Sequence, residues 1–458
     1  MPLFLTFTGL RAHEGFLAMP DSLLITDCCL LQEVQGPVLE EAYLLCEQGI
    51  ISSAGPMSAL KRPAGVQTIN GHGRLVLPGL INGHGHSAMT LFRGLADDLE
   101  LGTWLSDHIF PAEASHVSPE MVYWCSKLAA AEMLLSGTTT VADAYFYEDE
   151  AIRAYIDSGI WAVAAHGIID FPAPGVPDPT RNIEAVAAFI DRHAGANPLI
   201  TPAVFAHAPY TCSNTTLQAA KNLARTRGVS FFIHAAETRT EQKLIAKPLG
   251  SSPIRHLAAL DLLDQQTILV HCVWLDDDDL EIIARSGARV VVCPQSNQKL
   301  ASGRPRASEM IDRGIPVGLG TDGAASNNSL DLFQEMDLLA KGEKVRTLSA
   351  TALSARQALA CTTTQGALVL GPAGAGLGRL HPGCTADLIL INLEQPHLQP
   401  FYSQDTLVYS ASGADVDSVI INGRLIVHER QILSFDLDEC LQQVRALAVP
   451  LTRSRPRP

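Results

Sequence analysis

The chain has no CxxC pair, and its ten cysteines are scattered, with only Cys28 and Cys29 adjacent. A disulfide framework would be denser and the chain shorter, so the pattern indicates reduced, mostly buried thiols and a cytoplasmic protein. No run of the ~18 apolar residues that a membrane span needs is present, so neither a spanning helix nor a membrane partner is expected. The start, MPLFLTFTGLRAHEG, has an apolar decapeptide. It lacks a basic region ahead of it and a small-residue cleavage site behind it, and reads as an extension or edge strand, not a secretory signal. Positive charge is in deficit, with 33 Lys and Arg against 48 Asp and Glu and a net charge of −15. That balance argues against binding to a phosphate backbone, and so against nucleic acid as a partner. It leaves small substrates open, because a pocket can differ from the net sign. Charged residues make up 18% and hydrophobic residues 47% of the chain, which fits a well-buried globular protein. At 458 residues the chain exceeds the usual single core, so one large domain plus a smaller one is expected.

Residues 22 to 77 present short strands broken by turns, as in SLLITDCCLLQ, EEAYLLCEQGIISSAG and GRLVLPG. From about Leu80 apolar β-like runs alternate with longer amphipathic runs, the pattern of repeated βα units. Eight candidate strands fall at 80–82, 138–142, 161–165, 200–205, 230–233, 268–270, 289–292 and 317–320. Helical segments lie between them at 119–136, 184–193, 214–226, 277–285 and 306–313. Ser118 followed by Pro119 forms an N-cap with proline at the first helical position. The carboxylates of 276–279 fill a first helical turn, where they favour the helix dipole and need no metal to explain them. Eight such units over some 240 residues predict a (β/α)8 TIM-like barrel, an α/β fold. After a helical stretch at 349–370, strands return in TADLILINLEQP and in VDSVIINGRLIVHERQIL, where Asn422-Gly423 marks a hairpin. The two β-rich ends are expected to meet in one small β-sandwich. The boundaries are set at 1–77 and 376–458 for its two parts and 78–375 for the barrel. The Arg- and Pro-rich tail from Leu451 to Pro458 is expected to fray.

Barrels of this kind carry their chemistry at the C-terminal strand ends. The first strand ends in His84 and His86, and a His-x-His pair at a strand end sends two imidazoles to one side. Alone, the pair could be two polar loop histidines. The fourth strand is followed by His207, the fifth ends in His234 with Glu237 close behind, the sixth ends in His271 and the eighth in Asp322. Taken singly, His271 could be a buried structural histidine and His207 a residue closing a turn before Pro209. Six such placements at one end of a barrel are hard to assign to chance. His84, His86, His234 and Asp322 supply three imidazoles and a carboxylate for one divalent metal ion, leaving a position for water, as catalytic sites do. Glu237 can carry a proton from water to a leaving group or ring nitrogen. His271 can stabilise the charge that develops on the attacking oxygen, and Asp322 can share the proton traffic. AHAPYTC after the fourth strand has no lysine to bridge a second metal, so a mononuclear site is expected.

Taken in order, HGHSAMTLFRGLADDLELGTWL, FAHAPYTCS, HAAET, VHCVWL, CPQSNQKLASG and LGTDGAASNNSLDLFQEM closely resemble the amidohydrolase superfamily. Within it they look like the group that deaminates 5′-methylthioadenosine and S-adenosylhomocysteine. The resemblance runs from about Leu75 into the C-terminal strands. It implies a distorted barrel with a composite β-sandwich, a zinc ion and hydrolytic loss of an amino group from a small nucleoside. It places metal ligands on His84, His86, His234 and Asp322, the general acid/base on Glu237 and the oxygen-orienting histidine on His271. It places ribosyl contacts on Trp104 and Glu113 and a further substrate contact on His207. Ser326 lies in the matching loop beside Asp322, and Arg181 matches an arginine of the substrate region. Where relatives that accept S-adenosylhomocysteine carry an arginine after the third strand, this chain has His166. A neutral histidine is a poor clamp for an amino-acid carboxylate. The expected substrate is therefore 5′-methylthioadenosine or another small adenosine-type nucleoside. Relatives of this kind often form homo-oligomers, although no segment of the sequence marks an interface.

Two rival readings stay open at this point. The same metal site serves enzymes that act on other heteroaromatic rings, such as chlorotriazines or guanine-like bases. A barrel that has lost activity and serves as a binding protein is the rival from another class.

Overall fold

The computed structural model describes residues 22–453. The expectations for the first fifteen residues and for 454–458 lie outside that range. Eight parallel strands form one sheet: β1 (Leu80–Gly85), β2 (Thr138–Tyr145), β3 (Trp161–Ile168), β4 (Ile200–Ala206), β5 (Phe231–Ala235), β6 (Thr267–His271), β7 (Arg289–Val292) and β8 (Val317–Leu319). They pair in sequence order. The sheet closes on itself where Gly85 bridges Asp322 and the Asp322 amide donates to the His84 carbonyl at 3.1 Å. All eight candidate strands are therefore present, most of them longer at the C-terminal end than their apolar runs alone indicate.

Closure depends on small residues at the seam. A Cβ on Gly320 would stand 2.8–2.9 Å from His84, so only glycine lets β8 approach β1 this closely. Inside the barrel, Ile81, Val163, Phe205, Phe232, Val270 and Val291 pack together, and Ala367, Val369 and Leu370 plug one end. The outward residues of the strands pack under the surrounding helices in a second, larger core.

The two helices with readable starts begin where the sequence predicts. The Ser118 hydroxyl accepts from the Met121 amide at 3.2 Å ahead of the helix Pro119–Leu135. Asp276 and Asp279 form a reciprocal capping box for Asp277–Ser286, and Arg255 and Arg306 neutralise the neighbouring carboxylates. The predicted helical stretch at 349–370 is two short helices, Ala355–Cys361 and Thr364–Leu370.

Strands from both ends of the chain join in one nine-stranded sheet. Arg74–Pro78, from the first part, pairs antiparallel with Leu388–Asn392, from the second, so the two ends are stitched directly together. Leu23, Ile25, Leu44, Leu388 and Ile420 give this small domain its own core. Asn422-Gly423 turns Val416–Ile421 into Arg424–His428, as expected. Among the elements the sequence reading did not place are the short strand Gln67–Asn70 and the helices Glu148–Ser158, Leu332–Thr347 and Leu437–Arg453. The last of these corrects the expectation of a frayed tail from Leu451, since it continues to Arg453 with Leu451 buried. It docks on Pro119–Leu135, where the Cys440 thiol meets the Trp124 carbonyl.

Candidate active site

The imidazoles of His84, His86 and His234 converge, with one ring nitrogen of each within 4.8 Å of the others. His84 Nε2 and His234 Nε2 are 3.1 Å apart. Two ligands of a tetrahedral zinc at ~2.05 Å stand about 3.3 Å apart, so this spacing fits two nitrogens sharing one cation. Asp322 Oδ1 completes the set at 3.4 Å from His86 Nε2 and 3.7 Å from His84 Nε2. These four side chains can hold a divalent metal ion. His86 Nδ1 donates to the Ala144 carbonyl at 2.6 Å, which turns its Nε2 toward the cluster. Burial holds His84 and His234 well below the usual imidazole range, so both are neutral and able to bind a cation. Burial acts to raise the Asp322 carboxyl, but its polar surroundings, the neighbouring imidazoles and the Ser296 hydroxyl, outweigh it and hold it below the usual carboxylate range.

Asp322 is held from behind. The hydroxyls of Ser296 and Ser326 reach its Oδ2 at 2.7 and 3.0 Å, which leaves Oδ1 facing the imidazoles. Asp322 and His271 both adopt left-handed backbone, at φ 61° and 77°. Such conformations cost free energy and concentrate at functional sites.

Glu237 and His271 stand beside the cluster, with Glu237 Oε2 3.8 Å from His271 Nε2. Burial pushes the Glu237 carboxyl up to about 8, helped by the charge of Asp322. The Ser302 hydroxyl donates to its Oε1 at 3.3 Å. Glu241 fixes the backbone there, accepting from the amides of Ala236 and Glu237 at 3.0 and 2.8 Å. The Asn297 amide nitrogen lies 3.1 Å from His271 Nδ1. With that amide donating, Nδ1 accepts and Nε2 carries the hydrogen.

The cluster lies at the wall of a cavity of about 300 Å³. Trp104 and Glu113 line it, as do His207, Ser326, Glu237, His271 and Asp322. Trp104 opens a wide π-type turn, Trp104–Ile109, that runs into the helix Phe110–His116 carrying Glu113. The Tyr145 hydroxyl donates to Glu113 Oε1 at 2.6 Å, and burial raises this carboxyl to about 7. His207 is half-buried, and desolvation in the cavity wall holds it down to about 3. The Thr211 hydroxyl donates to the Ala208 carbonyl and so accepts from His207 Nδ1 at 2.9 Å, which leaves His207 Nε2 as an acceptor. Among the described residues no lysine or arginine lines the cavity, and Phe110 and Phe171 meet edge to face there at 5.5 Å.

Two residues singled out from the sequence stand away from this cavity. Arg181 does not line this cavity: its exposed guanidinium is occupied by Glu184, three residues on, at 3.0 and 3.1 Å. His166 does not face the cavity either. Its ring packs against Phe189 on the helical side of β3, with both nitrogens buried and unpartnered and its pKa lowered to about 4 by that burial. The supporting residues Ser296, Asn297, Ser302, Glu241 and Tyr145 had no role assigned from sequence. Three of them lie in the CPQSNQKLASG run after β7, and its position at a strand end was the available signal.

The amidohydrolase family model matches residues 75–426. A protein of Syntrophus aciditrophicus named 5-methylthioadenosine/S-adenosylhomocysteine deaminase 1 is 44% identical, over 92% of this chain and 96% of its own. A 5′-deoxyadenosine deaminase of Methanosphaera stadtmanae is 36% identical, over 94% and 99%. The crystal structure of an adenosine deaminase of Xanthomonas campestris with bound zinc superposes with a TM-score of 0.90 at 33% identity, covering 94% of this chain and 98% of that one. With its barrel, its histidine cluster and a family match over most of its length, the chain belongs to the amidohydrolase family.

Proposed function

We propose that the protein is a metal-dependent hydrolytic deaminase of an adenosine-type nucleoside, 5′-methylthioadenosine before others, releasing ammonia and the inosine-type product. The observation that carries this reading is the joining of the His84/His86/His234/Asp322 cluster to an apolar cavity that also holds Glu113 and Trp104. The names of the relatives above support the same substrate class. Zinc is the proposed ion, since imidazole-rich sites suit it and the Xanthomonas relative holds it. The ten free cysteines support a reducing cytoplasm.

A divalent ion held by His84, His86, His234 and Asp322 would lower the pKa of a bound water and polarise the electrophile. The chain's own residues do the rest. Glu113 accepts from the vicinal ribose hydroxyls while the Trp104 indole walls the sugar. Glu237 takes a proton from water as the oxygen adds to the amino-bearing carbon, and gives a proton to the adjacent ring nitrogen. His271 Nε2 donates to the oxygen as charge builds on it. Glu237 then takes the second proton from the added hydroxyl and delivers it to the amino group, which leaves as ammonia as the carbonyl forms. The His207 acceptor is available to a hydrogen-bond donor of the substrate.

The cavity wall explains the preference at the 5′ position. A zwitterionic amino-acid tail would meet Phe110, Phe171 and Pro172 with no cation among the described lining residues to pair its carboxylate, whereas a methylthio group suits that wall. The preference, earlier tied to His166, therefore rests on the wall. Ammonia release from adenosine, 5′-deoxyadenosine, methylthioadenosine, S-adenosylhomocysteine, guanine and a chlorotriazine tests the reading. Methylthioadenosine is expected to lead the panel. Faster turnover of S-adenosylhomocysteine refutes the 5′ preference. Activity confined to guanine or the chlorotriazine refutes the nucleoside reading, and a chain without metal or turnover is a binding protein.

A further inference from the structure

We infer that Glu335 is a positioning residue for the metal site, tying together the two segments whose serines orient Asp322. The inference rests on the metal-site reading above. Glu335 sits in the first turn of the helix Leu332–Thr347 and is fully buried. It touches no proposed ligand. Its Oε2 accepts from the Gln295 amide at 3.0 Å, and its Oε1 accepts from Gln295 Nε2 at 3.3 Å and Asn327 Nδ2 at 2.6 Å.

What these partners adjoin gives the contacts their meaning. Gln295 precedes Ser296, on the segment after β7. Asn327 follows Ser326, on the segment after β8. Those two serines are the hydroxyl donors to Asp322 Oδ2. Asn327 Nδ2 also donates to the Thr321 carbonyl at 2.6 Å, immediately before Asp322 itself. One carboxylate thus fixes both serine-bearing segments to the same rigid helix. A cluster of this kind needs its carboxylate ligand aimed, because a ligand free to rotate binds a cation less tightly. Two serines hold one oxygen of Asp322 only while their backbones keep their places, and Glu335 is the buried group common to both.

A carboxylate in a first helical turn also stabilises its helix, which is the purely structural alternative. The test separates the two. Glu335→Gln keeps the shape but offers one acceptor oxygen for three N–H groups, so at least one donor must face the amide nitrogen. Asn327→Ala leaves the Gln295 side tied and releases the Ser326 side, together with the contact to the Thr321 carbonyl. Zinc affinity of the full-length variants is measured by competition with a chromophoric chelator, alongside kcat, KM and thermal midpoint. We expect E335Q to bind zinc 10- to 100-fold more weakly, the range typical of groups that orient metal ligands, with kcat lowered and KM little changed. N327A should show a smaller loss. The losses of E335Q and Ser296→Ala should combine less than additively, since both act through Asp322. Unchanged zinc affinity in whichever variant folds, with only the midpoint lowered, overturns the inference, as does full additivity. Failure of the wild-type chain to bind zinc overturns the metal-site reading instead, so the two failures are distinguishable.

Discussion

Replacement of Glu237 by glutamine isolates the proton shuttle from everything around it. The carboxyl is buried, receives the Ser302 hydroxyl at 3.3 Å and stands 3.8 Å from His271 Nε2. Glutamine has the same shape and keeps an oxygen for Ser302, and the Glu241 contacts are to backbone amides. Fold and metal content should therefore survive. What disappears is a group able both to accept and to release a proton. Burial raises this carboxyl to about 8, and a cation held nearby pulls it back toward neutrality, where a proton shuttle works best. Positioned acid–base catalysis contributes about 10²- to 10⁴-fold, or roughly 3–5 kcal/mol of barrier. The variant should accordingly lose that factor in kcat with substrate binding largely retained. The assay is initial-rate ammonia release at saturating nucleoside, with metal analysis of the same sample. A variant with full zinc content and a rate within tenfold of wild type refutes the role assigned to Glu237.

Other outcomes follow from the same geometry. Glu113→Gln weakens a charged acceptor for the ribose hydroxyls, so KM should rise about 10- to 100-fold, in line with ~1.5–3 kcal/mol for such hydrogen bonds. The wild type's preference for adenosine over 2′-deoxyadenosine should shrink with it, as steady-state kinetics on the two substrates will show. Chelation should abolish ammonia release and lower the thermal midpoint, with zinc restoring both, because a ligand that binds only the folded chain stabilises it. Asp387, buried where β3 meets the terminal sheet, accepts from the Trp161 indole at 2.8 Å, and burial raises its pKa to about 6. A raised folded pKa means its contribution is complete below the unfolded value near 4 and is lost as pH rises through about 6. Wild type minus Asp387→Asn stability should thus fall by about 3 kcal/mol between pH 4 and pH 7, at ~1.4 kcal/mol per unit. A difference that stays flat across that range, measured by denaturation, refutes the assignment. Ser118→Ala should cost ~0.5–2 kcal/mol through loss of the N-cap on Pro119–Leu135, read as a lower unfolding midpoint.

The barrel was legible because each strand is a short apolar run whose period breaks at a polar residue. The terminal sheet was legible in composition, and the Asn422-Gly423 hairpin in detail. The helix Leu437–Arg453 was not anticipated, although it docks its apolar face on Pro119–Leu135. The supporting shell was not legible because its contacts join distant segments. Tyr145 meets Glu113 from 32 residues away, and Glu335 meets Gln295 from 40. No local pattern encodes such a meeting. Arg181 is the opposite case: its spacing of three from Glu184, at the start of the helix Asn182–His193, already provided a partner on its own helix.

Strand parity explains both what the sequence could have said and where it had to fail. On β3, Val163 and Ala165 face the barrel interior while Ala162 and Ala164 face the helices. His166 shares the even parity and so belongs to the helical side, where it packs on Phe189. The same count brings His207 inward after Ala203 and Phe205 on β4, and His234 inward after Phe232 on β5. It fails for His84, His86 and His271. Ile81 points inward on β1, so strict alternation would aim residues 83 and 85 at the interior and leave both histidines outside. The pairing of β1 with β2 shifts register between Asn82 and Gly85, and that irregularity turns His84 and His86 toward the site. Val270 points inward on β6, and the left-handed backbone of His271 brings the next residue to the same cavity. Two of these histidines thus ride on the regular pleat, and three depend on local departures from it. Such departures cost stability and persist only where the surroundings hold them. Here the surroundings are Asn82, whose side chain binds the amide and hydroxyl of Thr321 across the β1–β8 seam, and Asn297 behind His271.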